Sequence, residues 1–155
     1  MTTDELMSEL QSRQIDYELI PHRQTMTASD EAAEIGVSPE EVAKTLVLFT
    51  EADHVRAVLP ASERLDLHKV RELLGEGKSA RLASEDELAE AYPMFELGAV
   101  PPFGGPGADR TILDRRLAAR GSVVVEAGSH TESVRIKTDD LLSLTRAEVA
   151  DICED

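Results

Sequence analysis

Three stretches of this chain carry residue types that can do chemistry. Lys44 stands between Val42-Ala43 and Leu46-Val47. A lysine in such a setting either lays its methylenes along apolar surface and keeps its amine in water, or points a compact positive charge into a pocket, where it holds an anion or a carbonyl oxygen. Gly98-Ala-Val-Pro-Pro102-Phe-Gly-Gly is the second stretch. Glycine lets backbone amides approach a ligand, and adjacent prolines fix φ and hold a loop open. Amides displayed that way suit an oxyanion or an ester carbonyl, although a plain connector has the same composition. No Lys-Ser/Thr pair follows, so this is not a P-loop. Gly128-Ser-His130 is the third. It reads as a hairpin turn, with a histidine that either faces solvent or orients a water or a hydroxyl at neutral pH. His22, His54 and His68 lack metal-ligand spacing, and no Ser sits in a G-x-S-x-G elbow, which argues against zinc and against Ser-His-Asp chemistry.

The elements that position these residues follow from periodicity and caps. Thr2 or Thr3 can open a helix with Asp4 and Glu5 in its first turn and Leu6, Leu10 and Ile15 as its stripe. Tyr17–Ile20 reads as a strand closed by Pro21, and Thr27 or Ser29 opens a helix that Gly36 stops. Ser38-Pro39-Glu40-Glu41 predicts a brief helix ending near Lys44, followed by a strand over 45–50 and an antiparallel return over 54–59. Asp66 starts a helix stopped by Gly75 and Gly77, and 80–83 is a short strand. Ser84–Glu87 has the form of a capping box for a helix that Pro93 ends. Residues 98–110 form a long Gly/Pro-rich loop, a feature that is usually functional in a compact domain. Strands are expected at 111–114, 122–126 and 132–137, the first two separated by a small helix, and a helical tail from Thr138. Interspersed helices and strands with a hairpin predict an α/β (α+β) chain with a mixed sheet.

Length and composition bound the class. The 155 residues suit one domain, 1–155, and the lone Cys153 excludes a disulfide framework. No apolar run approaches a bilayer span, and the acidic start MTTDELMSEL is wrong for a secretory or mitochondrial leader, so a cytoplasmic location is expected. The net charge of −15 disfavours a phosphate-rich partner at first sight. The acids are segregated, however. Residues 1–43 hold 10 acids and 2 bases, 83–97 hold 5 and none, and 138–155 hold 6 and 1. Residues 44–82 carry 7 bases to 6 acids and 98–137 carry 6 to 4, so the segments with the candidate residues are slightly basic.

The order of the motifs is more specific than any one of them. Glu41-Val-Ala-Lys44-Thr-Leu-Val-Leu, Gly98-Ala-Val-Pro-Pro102-Phe-Gly, Ile112-Leu-Asp114 and Gly128-Ser-His130 together resemble the YbaK/prolyl-tRNA-synthetase-associated editing domain family, from about Ile15 to Leu142. The resemblance implies a mixed, barrel-like sheet surrounded by helices. It implies hydrolysis, usually in trans, of the ester joining a wrong amino acid to tRNA, with a small residue such as Ala or Ser as the expected substrate. Lys44 matches the family's functional lysine, Gly98 and Pro102 its G-x-x-x-P loop, and His130 the histidine of its GSH variant. Lys44 and His130 are then the expected catalytic residues, with Thr45, Gly98, Ala99, Val100, Pro102, Gly104, Gly128 and Ser129 binding substrate. The amine of Lys44 is expected to face a cavity roofed by the loop and flanked by His130. The same resemblance implies no metal or organic cofactor. It implies the acceptor end of aminoacyl-tRNA as partner and an aminoacyl-tRNA synthetase as a candidate second one, with neither membrane nor DNA. A catalytically silent relative binding tRNA or a synthetase would carry the same motifs. Pro101 before Pro102, where several branches carry a small or polar residue, leaves the side-chain preference of the pocket open.

Overall fold

The computed structural model describes residues 3–51, 53–75, 79–105 and 109–155. Helices α1 (Thr3–Ser12), α2 (Ala28–Ile35), α3 (Leu67–Leu74), α4 (Glu85–Ala91), α5 (Arg115–Ala118) and α6 (Thr138–Thr145) surround one eight-stranded sheet. Its strands are β1 (Tyr17–Pro21), β2 (Val42–Phe49), β3 (His54–Pro60), β4 (Arg81–Leu82), β5 (Arg110–Asp114), β6 (Ser122–Glu126), β7 (Glu132–Lys137) and β8 (Glu148–Ala150). The order is β1-β7-β6-β2-β3-β5-β8, with β4 added onto β2. β2–β3, β6–β7 and β1–β7 are antiparallel, while β2–β6, β3–β5 and β5–β8 are parallel. The mixed sheet matches expectation; its hydrogen bonding runs as a path with β1 and β8 at its two ends.

The caps act as read. Thr27 accepts from the Asp30 amide and Gly36 ends α2 in the left-handed region. Asp66 caps α3 and Gly75 ends it, and Ser84 and Glu87 complete a capping box. Three expectations need correction or fall outside view. The segment after Ser38 is a single 3₁₀ turn, Pro39–Glu41, and β2 begins at Val42, so Lys44 lies inside a strand rather than at a helix end. Pairing of Val42 and Ala43 with β6 and β3 outweighs the helix-start signal. The helix expected from Thr138 forms as α6 but ends at Thr145, and the tail beyond it is not helical. Arg146 turns left-handed (φ 54), β8 adds to β5, and Cys153 bridges back to Leu65, because Ile152 and Cys153 bury apolar surface there. Thr2 and Gly77 lie outside the described residues.

Alternation divides the core. Ala43, Val47, Val58, Val123, Val125, Val134 and Ile136 face one cluster, closed by Leu6 and Leu10 of α1, Phe95, Val100 and Phe103. On the other face Leu48, Val55, Ala57 and Leu59 pack with Val70 of α3 and with Ile152 and Cys153, while Val42 and Val124 pack under Ala28 and Ala32 of α2. Among the described residues no helix is long and apolar enough to cross a membrane.

Candidate functional site

His130 sits in the β6–β7 connection and is held from three sides. Its backbone amide donates to Glu96 Oε2 at 2.8 Å, and its carbonyl accepts from the Thr25 amide at 3.0 Å. Its ring Nε2 faces the carbonyl oxygen of Leu97. A carbonyl only accepts, so Nε2 carries the proton and Nδ1 is the ring's acceptor when neutral. The residue is 9% exposed. Gly98, next to Leu97, takes φ +81, and a β-carbon there would lie 3.4 Å from His130 Cε1. Gly128, before Ser129, takes φ +91, and a β-carbon there would meet Phe95 Cδ1 at 2.9 Å. Glycine is favoured at both positions by the left-handed backbone, and at Gly128 also by the lack of room beside Phe95.

The loop is held from beneath by a residue the sequence analysis did not single out. Arg56 of β3 is 2% exposed. Its Nε donates to Asp109 at 2.9 Å, Nη1 to the Pro101 carbonyl at 2.9 Å and Nη2 to the Gly104 carbonyl, and its guanidinium lies 5.2 Å from the Tyr92 ring centroid. The Tyr92 hydroxyl donates to the same Asp109 carboxylate, and burial together with that carboxylate pushes it up to about 12. A lone arginine inside Val55-Arg-Ala-Val58 was the available signal. Ala99, Val100, Pro101, Pro102 and Phe103 are buried, and the Ala99 amide is spent on the Glu96 carbonyl. The exposed part of the loop is Glu96-Leu97-Gly98. Pro102 and Gly104 instead line a cavity of about 500 Å³ with Arg13, Arg56, Asp109 and Arg146, which includes neither Lys44 nor His130.

Lys44 shares the sheet face of Leu46 and Leu48, opposite the face of Val100 and Phe103, while Thr45 alternates to the latter side against Val58. The amine is half-buried and donates to the Glu63 carbonyl at 2.6 Å, and burial lowers its pKa below the usual lysine value. Gly98 and His130 are thus brought together, while the Lys44 amine is engaged by the Glu63 carbonyl. The link between them is β6, because Glu126 lies on the Lys44 face two residues before Gly128.

Glu126 is 9% exposed, and Oε2 is buried without a partner. Burial, with the Glu31 charge second, pushes it from 4.5 up to about 9. Glu31 of α2 is 2% exposed and also raised by burial; it accepts from the Ser133 hydroxyl, which lies 2.8 Å from His22 Nε2. His22 Nδ1 donates to the Arg23 carbonyl at 2.7 Å. An acid closing the run Val123-Val-Val-Glu126 was the signal here. Among the described residues no group of three or more potential ligands is placed to hold a metal ion.

A constrained imidazole, a glycine-fixed loop and buried titrating groups suit binding and hydrolysis of a reactive acyl group without a protein nucleophile. Comparison with known proteins identifies the class. The family model for the aminoacyl-tRNA editing domain matches residues 22–144. This chain belongs to that family. The editing domain is 27% identical to the Enterococcus faecalis "Putative Cys-tRNA(Pro)/Cys-tRNA(Cys) deacylase EbsC", over 88% of this chain and 83% of that one. It matches a stretch of the proline–tRNA ligase of Nitratidesulfovibrio vulgaris at 27% identity, covering 77% of this chain but 21% of the ligase. A crystal structure described as "a putative trans-editing enzyme for prolyl tRNA synthetase" superposes with TM-score 0.86 at 28% identity, covering 99% of this chain and 97% of that one. The editing domain is accordingly an enzyme of the aminoacyl-tRNA hydrolase class, with a mixed α/β fold.

Proposed function

We propose that this editing domain acts in trans on the acceptor end of a mischarged tRNA and hydrolyses the ester of a small amino acid, Ala or Ser first. The observation that supports this reading is the approach of the loop to the late turn, where the Leu97 carbonyl faces His130 Nε2 and Gly98 lies next to the ring. An aminoacyl ester is already activated. Its hydrolysis needs a positioned water and help for the developing oxyanion more than a strong nucleophile. The Gly98 amide, at the exposed end of the loop, is the donor assigned to the aminoacyl carbonyl. Ala99, Val100, Pro102 and Gly104 give that end its backbone path, and Gly128 and Ser129 carry His130. His130 orients the water or the terminal ribose through Nδ1, and the ribose 2′-hydroxyl assists. Lys44 offers a point charge to the carbonyl or to the terminal phosphate, and Thr45 holds its strand. Selection among small side chains rests on pocket size, worth about 1–3 kcal/mol per methylene. The cysteine in the name of the Enterococcus relative brings that residue into the test, and the ligase match supports a synthetase as second partner.

The test is a deacylation panel of tRNAs charged with Ala, Ser, Pro, Cys and Thr. The wild type shortens the ester lifetime of Ala- or Ser-tRNA, and Lys44→Ala slows that turnover by on the order of 10²-fold. Near wild-type turnover by Lys44→Ala removes Lys44 from the mechanism. A charged tRNA that is bound but no shorter-lived makes the domain a binding module.

A further inference from the structure

β2 and β6 run parallel through Val42–Val124 and Ala43–Val125, and there the pairing stops. The next residues on the face of Val42 and Val124 are Lys44 and Glu126. Paired strands lie about 4.8 Å apart; where these two part, the Lys44 amine turns to the Glu63 carbonyl and the Glu126 carboxyl is left inside. Glu126 is faced by Ser133, its pairing partner, from β7 and by Glu31 from α2. Beyond these stand His22 on Ser133, His130 past the turn, and Arg135, which reaches toward Glu41 at 3.9 Å. Glu126 Oε2 and Glu31 Oε1 are both buried without a donor. Buried carboxyl oxygens in that condition are costly, and they mark a place where a ligand supplies the missing donor.

We infer that Glu126 is a substrate-binding residue which receives the α-ammonium of the aminoacyl ester, with Glu31 behind it. This rests on the aminoacyl-tRNA reading above. The acceptor end is otherwise phosphate and neutral ribose, and the α-ammonium is the cation next to the ester. In that group the ammonium-bearing carbon adjoins the carbonyl carbon, so its acceptor belongs close to His130; Glu126 ends β6 just before the Gly128–His130 turn, and Glu31 lies within electrostatic reach of His130. Glu126 is neutral in the free protein at pH 7. When a protonated amine binds, the carboxyl proton leaves to solvent, and Glu31, Ser133 and His22, hydrogen-bonded to one another, stand behind the new pair. When an unprotonated amine binds, it takes that proton. Either way the product is an ammonium–carboxylate pair, and the site accepts aminoacyl groups with a free amine while rejecting N-acylated ones.

The probe is 3′-alanylamino-3′-deoxyadenosine, whose amide resists hydrolysis, compared with its N-acetyl derivative by calorimetry. The wild type binds the free amine at least about tenfold more tightly, the worth of a hydrogen bond to a charged group. Glu126→Gln, close in shape, brings the two within about twofold, and Glu126→Asp retains part of the preference. Equal binding of both probes by wild type, binding of neither, or a preference undiminished in Glu126→Gln overturns the inference. Charged tRNA still hydrolysed without that preference overturns this assignment alone. The preference intact in a protein that hydrolyses no charged tRNA overturns the hydrolase reading and leaves the ammonium site standing.

Discussion

Gly98 and His130 are fitted to each other: a single β-carbon on Gly98 would lie 3.4 Å from the imidazole Cε1, and the Leu97 carbonyl beside it fixes the ring's Nε2. The loop thereby sets the histidine's orientation and protonation pattern. Gly98→Ala must place an L-residue at φ +81 beside the ring, at a cost of about 1–2 kcal/mol. The expected result is a fall in kcat/KM of roughly tenfold or more, with a small loss in Tm. Steady-state deacylation beside a thermal melt reads both, and an unchanged kcat/KM would separate the loop from the chemistry.

Arg56 joins β3 to the loop through Asp109, Pro101 and Gly104. Arg56→Leu fills the space but leaves the Asp109 carboxylate and two carbonyls without their donor. Breaking a buried pair from one side costs about 3–5 kcal/mol. Asp109 keeps the Tyr92 hydroxyl and some solvent, so the lower end is expected. Urea titration should show a lower midpoint with the same m-value.

The Glu126 carboxyl makes stability depend on pH with a definite sign. Its folded value, about 9, lies above the ordinary 4.5, so between those values the native state holds a proton that the unfolded chain has released. Its contribution is therefore complete below pH 4.5 and is lost as pH rises toward 9, at no more than about 1.4 kcal/mol per unit. Glu126→Gln keeps the shape without the titration. Melts from pH 4 to 9 should find the two proteins similar at pH 4 and the variant more stable at pH 8. A wild-type advantage that grows with pH would place an ionised carboxylate there instead.

Cys153 is fully buried between Leu65 and the sheet, and burial pushes its thiol up to about 12. The thiolate is the reactive form. Iodoacetamide at pH 8 should leave the folded protein unlabelled and label it stoichiometrically in denaturant. Fast labelling of the native state would mean that the C-terminal segment opens.

Much of the fold was legible locally. Thr27, Asp66 and Ser84 cap helices, Gly36 and Gly75 end them, and the 45–59 hairpin follows from two apolar runs about a short turn. The failures share a cause. Ser38-Pro39-Glu-Glu is a helix start in isolation, but Val42 and Ala43 gain more by pairing on both sides. The tail has helix-forming residues, but Ile152 and Cys153 bury more against Leu65 and α3. Both outcomes depend on partners distant in sequence.

The site divides in the same way. Residue types and their order were enough for the sequence to nominate Lys44, the Gly98–Pro102 loop and His130, because glycine, proline, lysine and histidine have chemistry that needs no context. What the tertiary structure decided is which of them meet. It closed Gly98 on His130, tied the Lys44 amine to the Glu63 carbonyl, and placed Arg56, Glu31 and Glu126 in the interior. Burial and pairing are properties of the assembled sheet, and a charged side chain reads the same in the sequence whether it ends in water or beneath a helix.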